Sequence, residues 1–136
     1  MPNDTLVNKV AIVERCVLRA REEYNKDPDT FTSDFTRQDA AILNIQRSCE
    51  ASLDIAQILV RQNNLGIAQS ARDNFKLLEH ANVLSPVLSA SLQKMVGFRN
   101  IAVHQYQALQ LPIVISIIKI DLDSCLNFGR IALEHA

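Results

Sequence analysis

Residues 112–118 read Pro112-Ile113-Val114-Ile115-Ser116-Ile117-Ile118, and the reading of this run decides the fold class. Its β-branched side chains are stiff at χ1 and favour extended backbone, so in isolation the run passes as a strand. The rest of the chain argues against that. No second strand exists to pair with it, and the apolar row continues through Val114, Ile118, Leu122, Cys125, Gly129 and Ala132, spaced by fours and threes like one helix face. The run is therefore read as the start of a buried fifth helix that opens at Pro112.

Working outward, Ser85-Pro86 is an N-cap followed by proline at the first helical position, so a fourth helix is expected from there toward Tyr106. Ser70 caps a brief third helix, with Phe75, Leu77 and Leu78 apolar and Asn82 at its exit. From Phe35 the row Ile42, Ile45, Cys49, Leu53, Ala56 and Val60 predicts a long second helix, closed by the turn at residues 62–66. Leu6, Val10, Val13, Val17, Ala20 and Tyr24 predict the first helix, and the linker after it begins at Asp27-Pro28-Asp29. Only three glycines and four prolines occur in 136 residues, too few turn signals for an all-β domain. The expectation is one all-α domain over residues 1–136, an up-and-down bundle of about five helices with helices two, four and five forming the core.

Composition excludes several functions. The formal net charge is −1, so no global positive field holds nucleic acid, and any such contact must be a local patch. Cys16, Cys49 and Cys125 are odd in number, far apart and in no C-x-x-C pair, which indicates neither a disulfide framework nor a zinc ribbon. His80 and His135 each follow a glutamate, but no E-x-x-H or H-x-x-x-H spacing is present, and Gly66, Gly97 and Gly129 stand alone. No metal or cofactor is expected, and no binding of ATP by this chain unaided. The aliphatic run near residues 113–118 is far below the ~18 residues of a membrane span, and no leader is visible, so a soluble, cytoplasmic protein is expected.

Chemistry concentrates in the fourth helix. Leu88, Leu92, Met95, Arg99 and Ala102 share one row, so a guanidinium occupies a place in the apolar seam. Such a charge needs an anionic partner: a phosphate ligand, the mouth of a cleft, or a carboxylate of the same chain such as Asp39 or Asp54. Asn100, His104 and Tyr106 follow within seven residues. At ~100° per residue Arg99 and Tyr106 nearly eclipse, Asn100 and His104 are i, i+4 neighbours, and Arg99 and His104 lie about 140° apart. Arg99 and His104 meet at one substrate only if the helix loosens or a second subunit supplies its own copy. Arg15, Arg19, Arg21, Arg61 and Arg72 are candidate contacts to an RNA backbone, though scattered arginines more often form a solvated face.

Arg99-x-x-x-x-His104-x-Tyr106 resembles the R-x-x-x-x-H-x-Y signature of the HEPN superfamily, in its HepT-like branch of short helical proteins. The resemblance extends over Met95 to His104, over Gln46 to Asp54, and over Ser70 to Phe75; Gln57 departs from it where many relatives have histidine. It implies a toxin of a two-gene toxin–antitoxin system, a metal-independent endoribonuclease paired with a minimal nucleotidyltransferase antitoxin. Arg99 would then grip the scissile phosphate, His104 would serve as general base or acid, and Asn100 would orient the imidazole or hold a phosphate oxygen. Tyr106 matches the family's acceptor of AMP, whose modification silences the toxin. A homodimer is expected, and a larger hetero-oligomer with the antitoxin is compatible with it. The competing expectation is a non-catalytic helical module that binds a nucleotidyltransferase and presents nucleotide or nucleic acid to it.

Overall fold

The computed structural model describes residues 3–135, and every regular element among them is helical. Helix α1 spans Asp4–Asn25; the Asn3 side chain accepts from the Leu6 N–H at 3.1 Å, and Asp4 in the first turn complements the helix dipole. Its face Leu6, Val10, Val13, Val17 and Ala20 is buried as the spacing required. The linker contains a single helical turn, α2 (Pro28–Phe31), capped by Asp27 and started by Pro28.

Phe31 of that turn is fully buried, which contributes roughly 1.5–3 kcal/mol. Arg37 fastens it: Nε donates to Glu23 O at 2.9 Å, Nη1 to Thr30 Oγ1 at 2.9 Å and Nη2 to Asp27 O at 2.7 Å, while the guanidinium lies 5.6 Å from the Phe31 ring centre. Helix α3 (Phe35–Gln62) is capped by Asp34, and α4 (Ala71–His80) by the expected Ser70. Helix α5 (Pro86–His104) opens as read from the sequence, with Ser85 Oγ accepting from the Leu88 N–H at 3.1 Å and Pro86 in the first turn. It stops at His104, two residues short of Tyr106, which lies in a 3-10 turn over Tyr106–Ala108.

The run that opened the reading is helical. It forms α6 (Leu111–Ser116), passes through a π turn at Ile117–Asp121 and continues as α7 (Leu122–Glu134). The π turn has a clear hydrogen-bond consequence. The Leu122 N–H donates to Ile117 O, five residues back, which takes from the Ile118 carbonyl its usual i+4 donor. Arg21 of α1 supplies one instead, Nε donating to Ile118 O at 3.0 Å and Nη2 to Asp123 at 2.8 Å. The extra residue also turns both Ile117 and Ile118 into the core, beside Val114, Leu122, Cys125 and Ala132.

One expectation about the core is corrected. Helix α1 is not an outer helix: its longest partner is α3, and it also packs on α7, so the core is built from α1 together with α3, α5 and α7. An amphipathic row shows which face a helix buries but not against which neighbour. Phe75 of α4 and Phe128 of α7 close the bundle edge to face, ring centres 5.7 Å apart. Among the described residues no helix is long and apolar enough to cross a membrane.

Candidate active site

The C-terminal end of α5 carries Arg99, Asn100 and His104, and the turn after it carries Tyr106. Arg99 sits in the seam between α5 and α3 with its side chain one-third exposed, while Leu92, Met95 and Ala102 of the same row are buried. Its carboxylate partner is neither of those considered from the sequence. Asp54 pairs with Lys9 at 2.9 Å and Asp39 accepts from Tyr106, whereas the Arg99 Nε lies 3.7 Å from Glu50 Oε1. Glu50 itself is held by Gln46, whose Nε2 donates to it at 3.0 Å.

The Arg99–Glu50 pair is an ion pair without a hydrogen bond, since the buried Nε has no partner within bonding distance. The guanidinium uses one donor among the described residues, Nη1 to Asn100 Oδ1 at 3.2 Å. With Nε buried against Glu50 and one Nη1 donor used, three of an arginine's five N–H donors, all on Nη1 and Nη2, remain available. An oriented, half-buried guanidinium with spare donors is suited to a bidentate phosphate contact. Asn100 is turned toward Arg99, and the structure does not bring it to His104.

His104 occupies the last turn of α5 and is exposed, with no hydrogen-bond partner among the described residues. Because α5 stays helical up to His104, nothing in this chain folds Arg99 and His104 onto a common point. The two stay on separate faces of the helix, as the spacing implied.

Tyr106 departs furthest from the helical reading. Helix α5 ends with Gln105 at φ −139° and ψ 47°, and the following turn sets the phenol against Asp39 of α3, about three helical turns before Glu50, the partner of Arg99. There the Tyr106 Oη donates to Asp39 Oδ1. Desolvation at this spot, then the bond to Asp39 and that carboxylate's charge, push the phenol's pKa up to about 12. Tyr106 is nonetheless 46% exposed, so a macromolecular partner can reach its hydroxyl.

Two residues of the site escaped the sequence reading. Glu50 lies on α3 among an ordinary mixture of polar and apolar residues, and only its i, i+4 relation to Gln46 is locally visible. Asp39 was considered for the wrong partner. Of the candidate RNA-contacting arginines, Arg19 is bound to Glu22 and Glu23 and Arg21 to α7 and the π turn, while Arg61 and Arg72 are exposed and form no ion pair among the described residues.

Residues 13–130 match the family model described as ribonuclease HepT-like. The chain is 48% identical over 126 residues to an mRNA nuclease HepT of Shewanella oneidensis, covering 93% of this chain and 94% of that one. It superposes with a TM-score of 0.90 on a toxin of a toxin–antitoxin crystal structure with AMP-PNP, at 46% identity over 95% of this chain and 97% of the other. A tri-AMPylated Shewanella oneidensis HEPN toxin in complex with an MNT antitoxin gives the same TM-score, 0.90, at 47% identity over 95% and 96% of the two chains. With that coverage, and with the signature Arg99, His104 and Tyr106 at the end of α5, the chain belongs to the HepT-like ribonuclease family of HEPN toxins.

Proposed function

We propose that this chain is the toxin of a toxin–antitoxin pair: an endoribonuclease acting on mRNA through Arg99 and His104, silenced when an MNT-type nucleotidyltransferase adenylylates Tyr106. The supporting observation is the pairing of an arginine with spare donors and an unpartnered, exposed histidine at one end of α5, in a chain 48% identical to an mRNA nuclease. The whole chain, residues 1–136, acts as one domain. Its three free cysteines, all buried, suit a reducing cytoplasm, where mRNA is found.

The chemistry follows from the two side chains. His104 removes the proton of a ribose 2′-hydroxyl, whose oxygen attacks the adjacent phosphorus. Arg99 donates to the non-bridging oxygens as their negative charge grows, and the 5′-oxygen leaves with a proton from a second acid. Asn100 keeps the guanidinium aimed through its bond to Nη1. This mechanism is metal-independent and leaves a 2′,3′-cyclic phosphate on one fragment and a 5′-hydroxyl on the other. An AMP group on Tyr106 adds bulk and negative charge next to the end of α5, where it competes with the RNA phosphate.

The test compares the wild-type chain with Arg99→Ala and His104→Ala, first by growth of a bacterial host without antitoxin and then by cleavage of mRNA in vitro. The expected result is growth arrest by the wild type alone. Cleavage should fall by about 10²–10⁴ in the His104 variant, at unchanged helicity, and should survive EDTA. Wild-type cleavage by the His104 variant, or no cleavage by any of the three, would overturn the assignment in favour of a helical module that presents nucleic acid to the nucleotidyltransferase.

A further inference from the structure

Among the described residues Tyr106 is hydrogen-bonded to one side chain, a carboxylate 67 positions earlier in the sequence. Asp39 lies on the exposed side of α3, in its second turn. Among the described residues it forms no ion pair and no hydrogen bond other than the one it accepts from Tyr106 Oη. The two side chains share a groove of about 350 Å³, lined also by Phe35, Ile42 and Leu109, and no other ionisable residue contributes to its walls. The carboxylate is therefore unneutralised, accessible and already hydrogen-bonded to the oxygen that must become a nucleophile.

A neutral phenol is a poor nucleophile, and here the proton is bound more tightly than usual. Attack on a phosphate ester therefore needs a base in contact with the hydroxyl. We infer that Asp39 is the proton acceptor for adenylylation of Tyr106, a catalytic residue contributed by the toxin to its own silencing. In the step, Tyr106 Oη attacks the α-phosphorus of ATP held by the nucleotidyltransferase. The Oη–P bond forms, the bond from that phosphorus to the pyrophosphate oxygen breaks, pyrophosphate departs, and the phenolic proton passes to an Asp39 carboxylate oxygen. This inference rests on the proposal that Tyr106 is the AMP acceptor.

The experiment measures initial rates of AMP incorporation, by intact mass and peptide mapping, with the full chain, ATP and its nucleotidyltransferase partner. The variants are Asp39→Asn, Asp39→Glu and Tyr106→Phe. Asn keeps an oxygen to accept the Tyr106 hydrogen bond and removes the basicity. Its first-AMP rate should therefore fall at least about 100-fold, with the KM for ATP unchanged. The rate of the Asn variant should also climb about tenfold per pH unit through the neutral range, because phenolate then comes only from solution, while the wild-type rate stays nearly level. Asp39→Glu should recover part of the loss. A wild-type rate in the Asn variant, with Tyr106→Phe unmodified, overturns the role of Asp39 alone. Equal incorporation into Tyr106→Phe and wild type overturns the acceptor assignment, and the inference with it.

Discussion

Tyr106 binds its proton more tightly in the folded chain than a free phenol does, so its hydroxyl contributes to stability in a definite pH window. Its pKa is raised from 10.0 to about 12, by desolvation first and by Asp39 second. The contribution is full below the unfolded value and is lost as pH rises through the folded one. The stability difference between wild type and Tyr106→Phe should therefore shrink between about pH 10 and pH 12, as read from urea unfolding midpoints. A difference that stays constant over that range would mean that Tyr106 is not protected as described. In a Tyr24→Phe background, Asp39→Asn should also bring the Tyr106 ultraviolet titration back toward the ordinary phenol range. Arg99 shows the same economy at the level of one side chain: the ion pair to Glu50 is made on the buried Nε side and fixes its position, while the outer Nη1 and Nη2 keep donors for a phosphate.

Two glycines in long helices carry opposite expectations at the scale of the element. Gly97 of α5 has the end of the Arg72 side chain over it, so an added Cβ would come within 2.6 Å of Nη2. Arg72 is exposed and its far end can swing aside, so Gly97→Ala should gain up to about 1 kcal/mol from helix propensity. A Cβ added at Gly129 of α7 would lie 3.2 Å from Val10 Cγ1 of α1 inside the core, where a β-branched side chain cannot rotate away. Gly129→Ala should lose that propensity gain to overpacking and end about 1 kcal/mol less stable than wild type. Thermal melts of the two variants check the contrast, and a shift of the same sign in both would refute it. The long helices were legible in the sequence because their evidence is local: rows at helical spacing, with Ser70 and Ser85-Pro86 as caps. The end of α5 was not, since residues 105–110 hold no glycine or proline, and what stops the helix is tertiary, Tyr106 bonding to α3 and Leu109 packing on the core. The π turn was equally hidden, because it depends on Arg21, 97 positions away, to satisfy a carbonyl. Of the site, the motif residues were visible and their partners Glu50 and Asp39 were not, for both are brought in by the packing of α3 against the end of α5.

For the whole molecule the decisive quantity is the angle between Arg99 and His104. The helix is unbroken between them, so they diverge by about 140°, and a single chain cannot aim both at one phosphate. A net charge of −1 also denies the monomer a general attraction for RNA. Both difficulties are removed by a two-fold axis that brings two copies of the α5 end together, giving one cleft with two guanidiniums and two imidazoles. Such a cleft makes the signature complementable. Arg99→Ala and His104→Ala chains, each inactive alone, should recover about a quarter of wild-type cleavage after subunit exchange, since half the dimers are then mixed and each mixed dimer holds one intact pair of two. A variant locked as a monomer should keep its helical circular dichroism and lose cleavage. If the mixture stays inactive although mass spectrometry shows mixed dimers, or if the monomer cuts RNA, each chain must instead close its own site by unwinding the last turn of α5.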